Sequence, residues 1–151
     1  MSKGLRYTLL TACGLIALFV LGILVRNFEF DSAARALKTG DYAVALPKLK
    51  SLASLGDGRA QYVLGSMYAT GVGVDKNDTE AIRLFRKASV GTHGETDPAA
   101  PAELAVAKNY AEGTEGVKPD PAESQKWLRR AAEGGSQEAL AELQKSQASH
   151  E

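Results

Sequence analysis

The sequence predicts an all-α protein, an N-terminal transmembrane helix followed by an α-solenoid of antiparallel helix pairs. Three observations carry the prediction. An uncharged apolar run opens the chain, a block of roughly 40 residues repeats itself, and small and apolar residues recur within each block at helical spacing. The array reads as about three units, the first one partial, closed by a C-terminal cap helix as solenoids require.

Residues 1–6, with Lys3, Arg6 and the amino terminus, form a charged leader. Residues 7–25, YTLLTACGLIALFVLGILV, carry no charge and are almost all apolar. At about 1.5 Å per residue, such a helix matches a hydrocarbon core about 30 Å thick. GILVRNFEF offers no small-x-small cleavage site, so the run reads as an uncleaved signal anchor. Leu10-Thr11-Ala12-Cys13 is similar to a lipidation signal, but cutting there would leave GLIALFVLGILV as the mature N-terminus. Cys13 therefore reads as an inert small apolar residue.

The leading charges place the N-terminus in the cytoplasm and the rest of the chain on the periplasmic side of a bacterial inner membrane. Arg26, Arg35 and Lys38 on the other side weaken that bias. The part that follows has no cysteine, so the redox compartment is not marked. No Gly or Pro occurs between Ile23 and Thr39. The membrane helix is thus expected to run on into the first repeat helix, with Asp31-Ser32 as the N-cap that would otherwise part them.

Residues 26–57 form the partial first repeat. Gly40-Asp41-Tyr42 precedes a helix carrying Ala45, Leu49, Leu52 and Ala53, with Pro47 marking its first turns or a kink. The full repeats follow at 58–90 and 102–135. Ala60, Tyr68, Ala69 and Gly71 fall on Ala102, Tyr110, Ala111 and Gly113 at a shift of 42 residues. Val74, Glu80, Leu84 and Ala88 fall on Val117, Glu123, Trp127 and Ala131 at a shift of 43, after one inserted loop residue.

Ala60, Leu64 and Tyr68 stand at i, i+4 and i+8, and Ala81, Phe85 and Ala88 line the second helix. Small residues let two helices approach, while Tyr68, Tyr110, Leu84 and Trp127 fill the space between them. Gly71 and Gly113 are expected as left-handed C-caps, and Asp78 and Pro121 as helix starts. Residues 91–101, GTHGETDPAAP, form a loop insertion. Gly134-Gly135 makes the turn before the cap, 136–147, where Ala139 and Leu143 repeat the positions of Ala60 and Leu64. Residues 148–151 are a tail.

The pattern A-x3-L-G-x2-Y-x2-G-x-G-V, then a helix with A-x2-L/W-x3-A, resembles the Sel-one-like repeat, a relative of the tetratricopeptide repeat. Ala60, Leu64, Gly65, Tyr68, Gly71, Gly73, Val74, Ala81, Leu84 and Ala88 carry it in the first copy. The second copy, with Ala102, Tyr110, Gly113, Trp127 and Ala131, departs at Val106-Ala107 and at Ser124. The resemblance implies a protein-binding solenoid. It also implies a concave face lined by Arg59, Tyr62 and Ser66 in one copy and Leu104, Lys108 and Glu112 in the other.

Other chemistries fit poorly. TGVGVDKND, residues 70–78, follows a helix and lacks the Gly-Lys-Ser/Thr of a phosphate loop. Asp75, Asn77 and Thr79 alternate as in a calcium loop, but the central Gly and closing Glu are missing. His93 and His150 are the only histidines and no cysteine accompanies them, so neither a zinc site nor a nucleophilic triad is expected. Glu112/Glu115 and Asp120/Glu123 read as solvated helix ends and loops.

The net charge is zero, with 18 basic and 18 acidic residues. Setting aside Lys3, Arg6 and Arg26 leaves 15 basic against 18 acidic, which disfavours nucleic acid as a partner. The expectation is a non-catalytic, membrane-anchored interaction module with a protein partner, no cofactor, no metal and no small-molecule substrate. The alternative is a subunit of an inner-membrane complex bound mainly through its transmembrane helix, where Gly14, Ala17 and Gly22 offer a small-residue stripe.

Overall fold

The computed structural model describes residues 3–90, 99–114 and 116–148, with only the backbone for 3–11. The chain falls into two compact units, Met1–Lys48 and Leu49–Glu151. Seven helices occur among the described residues: α1 (Lys3–Lys38), α2 (Tyr42–Ser54), α3 (Gly58–Thr70), α4 (Asp78–Ala88), α5 (Ala99–Glu112), α6 (Pro121–Glu133) and α7 (Gln137–Ala148).

In the first unit α1 is unbroken over 36 residues and passes through Asp31-Ser32 without a cap. Its stretch Ala12–Lys38 is long and apolar enough to cross a membrane. Every residue from Ala12 to Phe28 is exposed, whereas Ala33, Ala36 and Ala45 are buried. The helix ends at Lys38, Gly40 turns the chain at φ 73°, and Asp41 N–H donates to the Ala36 carbonyl at 2.8 Å. Lys48 of α2 reaches back to Glu29 of α1 at 2.5 Å. Pro47 lies inside α2, which continues through it.

Two kinds of connector are described in and at the edge of the second unit. The short kind leads from α2 into α3 and from α6 into α7. Asp57 N–H bonds to the Leu52 carbonyl at 3.0 Å, and Ser136 N–H to that of Ala131 at 2.9 Å. The long kind joins the two helices of a pair. Gly71 and Gly113, at φ 73° and 70°, close α3 and α5 in the left-handed region that glycine enters without steric cost. The chain then returns so that Asn77 N–H donates to the Tyr68 carbonyl at 2.9 Å and Asp120 N–H to the Tyr110 carbonyl at 2.8 Å. Asn77 and Asp120 cap α4 and α6 with their side chains, so helices begin at Asp78 and Pro121. The loop of the second copy, which holds the inserted residue, has an isolated antiparallel bridge between Thr114 and Val117.

Ala60, Leu64, Gly65, Ala81, Leu84, Ala88, Ala102, Trp127 and Ala131 are all buried. Gly65 lies under Phe85: a Cβ on it would stand 2.9 Å from two ring carbons. The second copy fills the same place with Ala107 and Leu128, both buried. Ser124, at the position of Ala81, gives its hydroxyl to the Ala107 carbonyl at 2.9 Å, so its burial leaves no unpaired group there. Tyr68 and Tyr110 differ from expectation in degree. They pack against the core but stay half-buried, and their carbonyls receive the returning loops. A second difference is that α5 starts at Ala99, inside the segment expected as loop. The remainder of that insertion, with His93, lies outside the described residues, as do Glu115 and His150.

Candidate interaction surface

The first helix of each pair, α3 and α5, and the cap α7 are the A helices, and α4 and α6 the B helices; partner-binding residues were expected on a concave face lined by α3 and α5. Leu104 does not belong to it. At 8 % exposure it is part of the core cluster with Phe85, Val106, Trp127 and Leu128. The reason is register: Leu104 stands where Tyr62 stands in α3, and both positions pack against the core cluster. Tyr62 is half-buried accordingly, its ring centroid 5.7 Å from that of Phe85 at a 46° tilt.

Arg59 is engaged within the chain. Its guanidinium Nη2 lies 3.0 Å from Oδ2 of Asp57, whose other oxygen caps α3 through the N–H groups of Arg59 and Ala60. Asp57 is buried, and Arg59 covers its charge. Arg59 thus holds a helix start together.

Ser66, Lys108 and Glu112 do face solvent, Ser66 half-exposed and the other two exposed. They belong to a stripe at i, i+3 and i+7: Val63, Ser66 and Thr70 on α3, then Ala105, Lys108 and Glu112 on α5. Glu142 and Lys145 occupy the equivalent positions on α7. None of these residues is buried. Val63, Thr70 and Ala105 were not expected: in α3 the expected set lies one helical turn too early, and in α5 it starts at Leu104, one residue before Ala105. The buried set Ala60, Leu64 and Met67 is the signal that fixes the register, since solvent-facing positions must lie opposite it.

The stripe is electrically structured. Lys108 Nζ lies 2.6 Å from Oε1 of Glu138 on α7. The hydrogen bond to Glu138 raises the Lys108 pKa against partial desolvation, and the fields of Glu138, Glu142 and Glu112 add to the rise. The B helices carry bases at equivalent positions instead: Arg83 and Lys126, Arg86 and Arg129, Lys87 and Arg130. Arg83 pairs with Glu80 and Lys126 with Glu123, while Arg130 binds buried Glu103 at 2.8 Å and covers the Trp127 ring at 4.7 Å.

Buried Gln61 and Glu103 were also missed. They share one repeat position, and Gln61 donates to the Ala53 carbonyl at 3.0 Å. Polar residues in an otherwise small-and-apolar helix face gave no sequence signal that separates them from solvent-facing ones.

Three polar groups of the TGVGVDKND loop, Lys76, Asn77 and Asp78, serve structure. Lys76 pairs with Asp78 at 3.0 Å and Asn77 caps Glu80 N–H at 2.9 Å. Asp120 caps α6, and Glu123 accepts from Trp127 Nε1 at 3.2 Å. Among the described residues, no group of three His, Cys, Asp or Glu side chains is arranged to hold a metal ion. Cys13 lies exposed on α1.

The Sel1 repeat family profile matches residues 58–89 and 100–136, which are the two helix pairs just described. The crystal structure of a Sel1 repeat protein from Oxalobacter formigenes is similar with a TM-score of 0.68 and 29% identity. The match covers 80% of this chain and 88% of that one. The c5321 protein of uropathogenic Escherichia coli, a protective antigen displaying an SLR fold, is similar with a TM-score of 0.66 and 29% identity. There the match covers 76% of this chain and 24% of that one. This chain therefore corresponds to about a quarter of the length of the antigen. No curated protein matches the chain. With both helix pairs matched in sequence and the array matched in structure, the chain is a Sel1-type helical-repeat protein.

Proposed function

We propose that the protein is a non-catalytic, membrane-anchored protein-binding module, an adaptor, assembly factor or regulator. Residues 7–25 are the anchor, in a bacterial inner membrane with the repeats on the periplasmic side. The partner is a protein, held on the A-helix stripe through Val63, Ser66 and Thr70 on α3 and Ala105, Lys108 and Glu112 on α5. The observation that carries the reading is register: the same positions stay accessible in successive A helices, opposite the buried set of Ala60, Leu64 and Met67. Solenoids of this type use such repeated faces to hold extended partners.

A second reading has its own support. Gly14 and Gly22 have open space where a Cβ would stand, and the apolar helix is exposed over the whole of Ala12–Val25. Close helix packing there would make the chain a subunit of a membrane complex. Replacing residues 7–25 by an unrelated single span separates the two. Retained partner co-purification supports binding through the repeats, and its loss supports the subunit reading.

A further inference from the structure

We infer that the lipid headgroup layer contacts the α1–α2 hairpin itself, through Arg26, Phe28 and Lys48, and not the apolar span alone. The inference rests on the reading of residues 7–25 as a membrane anchor. It starts from the absence of any break: α1 runs from Lys3 to Lys38 as one helix, so no linker separates the last apolar residue, Val25, from the hairpin.

Distances along a helix then fix the levels. Glu29 is four residues beyond Val25, about 6 Å along the axis at 1.5 Å per residue. At that level α2 is already alongside, since Lys48 Nζ lies 2.5 Å from Oε2 of Glu29. The polar layer on each side of the hydrocarbon core is about 5–8 Å deep. Lys48 therefore falls within it whenever Val25 lies at the edge of the hydrocarbon.

The side chains suit that layer. Arg26 follows the uncharged run directly, where a long cationic side chain reaches from the apolar edge to headgroup phosphate. Phe28 is 64 % exposed one residue before α2 begins to cover α1, an aromatic ring wetted in solution and sheltered at a bilayer interface. Lys48 and Glu29 keep 29% and 39% of their side chains accessible, so the lysine contacts its carboxylate on one side and remains open on another. Above this level the surface changes character: Ala33 and Ala36 are buried, and Asp31, Arg35 and Lys38 are exposed.

The test is a depth measurement on the full chain in phospholipid vesicles. In a Cys13→Ser background, single substitutions Leu18→Cys, Phe28→Cys, Pro47→Cys and Lys38→Cys carry a bimane label. Each position is exposed, so none of the labels needs the fold to open. Pro47 reports the level of Lys48 and leaves the ion pair intact. Lipids brominated deep in the chains should quench Leu18, and lipids brominated near the headgroup should quench Phe28 and Pro47. Lys38, about 14 Å further along the helix than Glu29, should be quenched at least threefold less than either. If Leu18 is quenched while Phe28 and Pro47 match Lys38, the anchor stands and the headgroup contact is overturned. If Leu18 is as unquenched as Lys38, the anchor reading itself falls and this inference with it.

Discussion

Gly65 of α3 and Phe85 of α4 occupy one space: a methyl group on Gly65 would stand 2.9 Å from the Cδ1 and Cε1 atoms of the ring. The second repeat resolves the same contact with Ala107 and Leu128, a larger residue against a smaller one. The two copies are therefore alternative solutions to a single volume, which interior packing holds nearly constant.

Gly65→Ala should destabilise the full chain in detergent by about 1–3 kcal/mol in urea unfolding, although alanine is the better helix former. Phe85→Leu alone should also destabilise, by removing buried ring atoms. The double variant should be clearly more stable than the sum of the two predicts, with a coupling of about 0.5–3 kcal/mol. Additive effects would show that the two positions do not share the space.

The C-cap glycines should be unequal. Both Gly71 and Gly113 hold positive φ, so alanine costs about 1–2 kcal/mol at either one. A Cβ at Gly113 would also meet Pro119 ring carbons at 2.6 Å, whereas at Gly71 the nearest atom is Lys76 Cβ at 3.4 Å. Gly113→Ala should therefore lower the melting temperature more than Gly71→Ala, as followed by circular dichroism.

Leu104 and Lys108 separate core from surface. Leu104→Ala should cost about 2–5 kcal/mol because it empties a packed site. Lys108→Gln should change stability by less than about 1 kcal/mol, since its ion pair is largely exposed. Only the second should reduce partner co-purification from the folded protein. A Leu104→Ala variant of unchanged melting temperature would contradict the register of α5.

Much of this was legible in the sequence. The apolar run, the self-match at 42 and 43 residues and the glycine stops determine the helix order, because hydrophobic period and backbone conformation are local properties. The surface was harder to read. Arg59 looks like a binding residue until the preceding Asp57 is seen as a buried N-cap that needs its charge covered. Tyr62 and Leu104 look exposed until the angle between paired helices is known, and that angle depends on side-chain packing between segments distant in sequence. Glu103 depends on Arg130, 27 residues later, a pairing that no local pattern announces.

Two surface pairs should give opposite pH dependences. The hydrogen bond from Arg83 holds the Glu80 carboxyl below its usual pKa, against the effect of burial. Its contribution is therefore present above the unfolded carboxylate value and is lost as pH falls through the lower folded value, below about pH 4. Lys108 is raised by Glu138, so its contribution is present below the unfolded lysine value and is lost as pH rises through the folded value, above about pH 10. Glu80→Gln should flatten the acid limb of stability by less than about 1 kcal/mol. It should leave the alkaline limb unchanged in urea unfolding series across that range.

The most direct test of partner binding on the A-helix stripe is site-specific photo-crosslinking in intact cells. A photoreactive residue is placed at Ser66 or Lys108 on the stripe, at Arg129 on a B helix, or at Leu18 in the apolar part of α1. The same protein adduct from Ser66 and Lys108, absent from Arg129 and Leu18, is the predicted result. Adducts from Leu18 or Arg129 without any from Ser66 and Lys108 would contradict it.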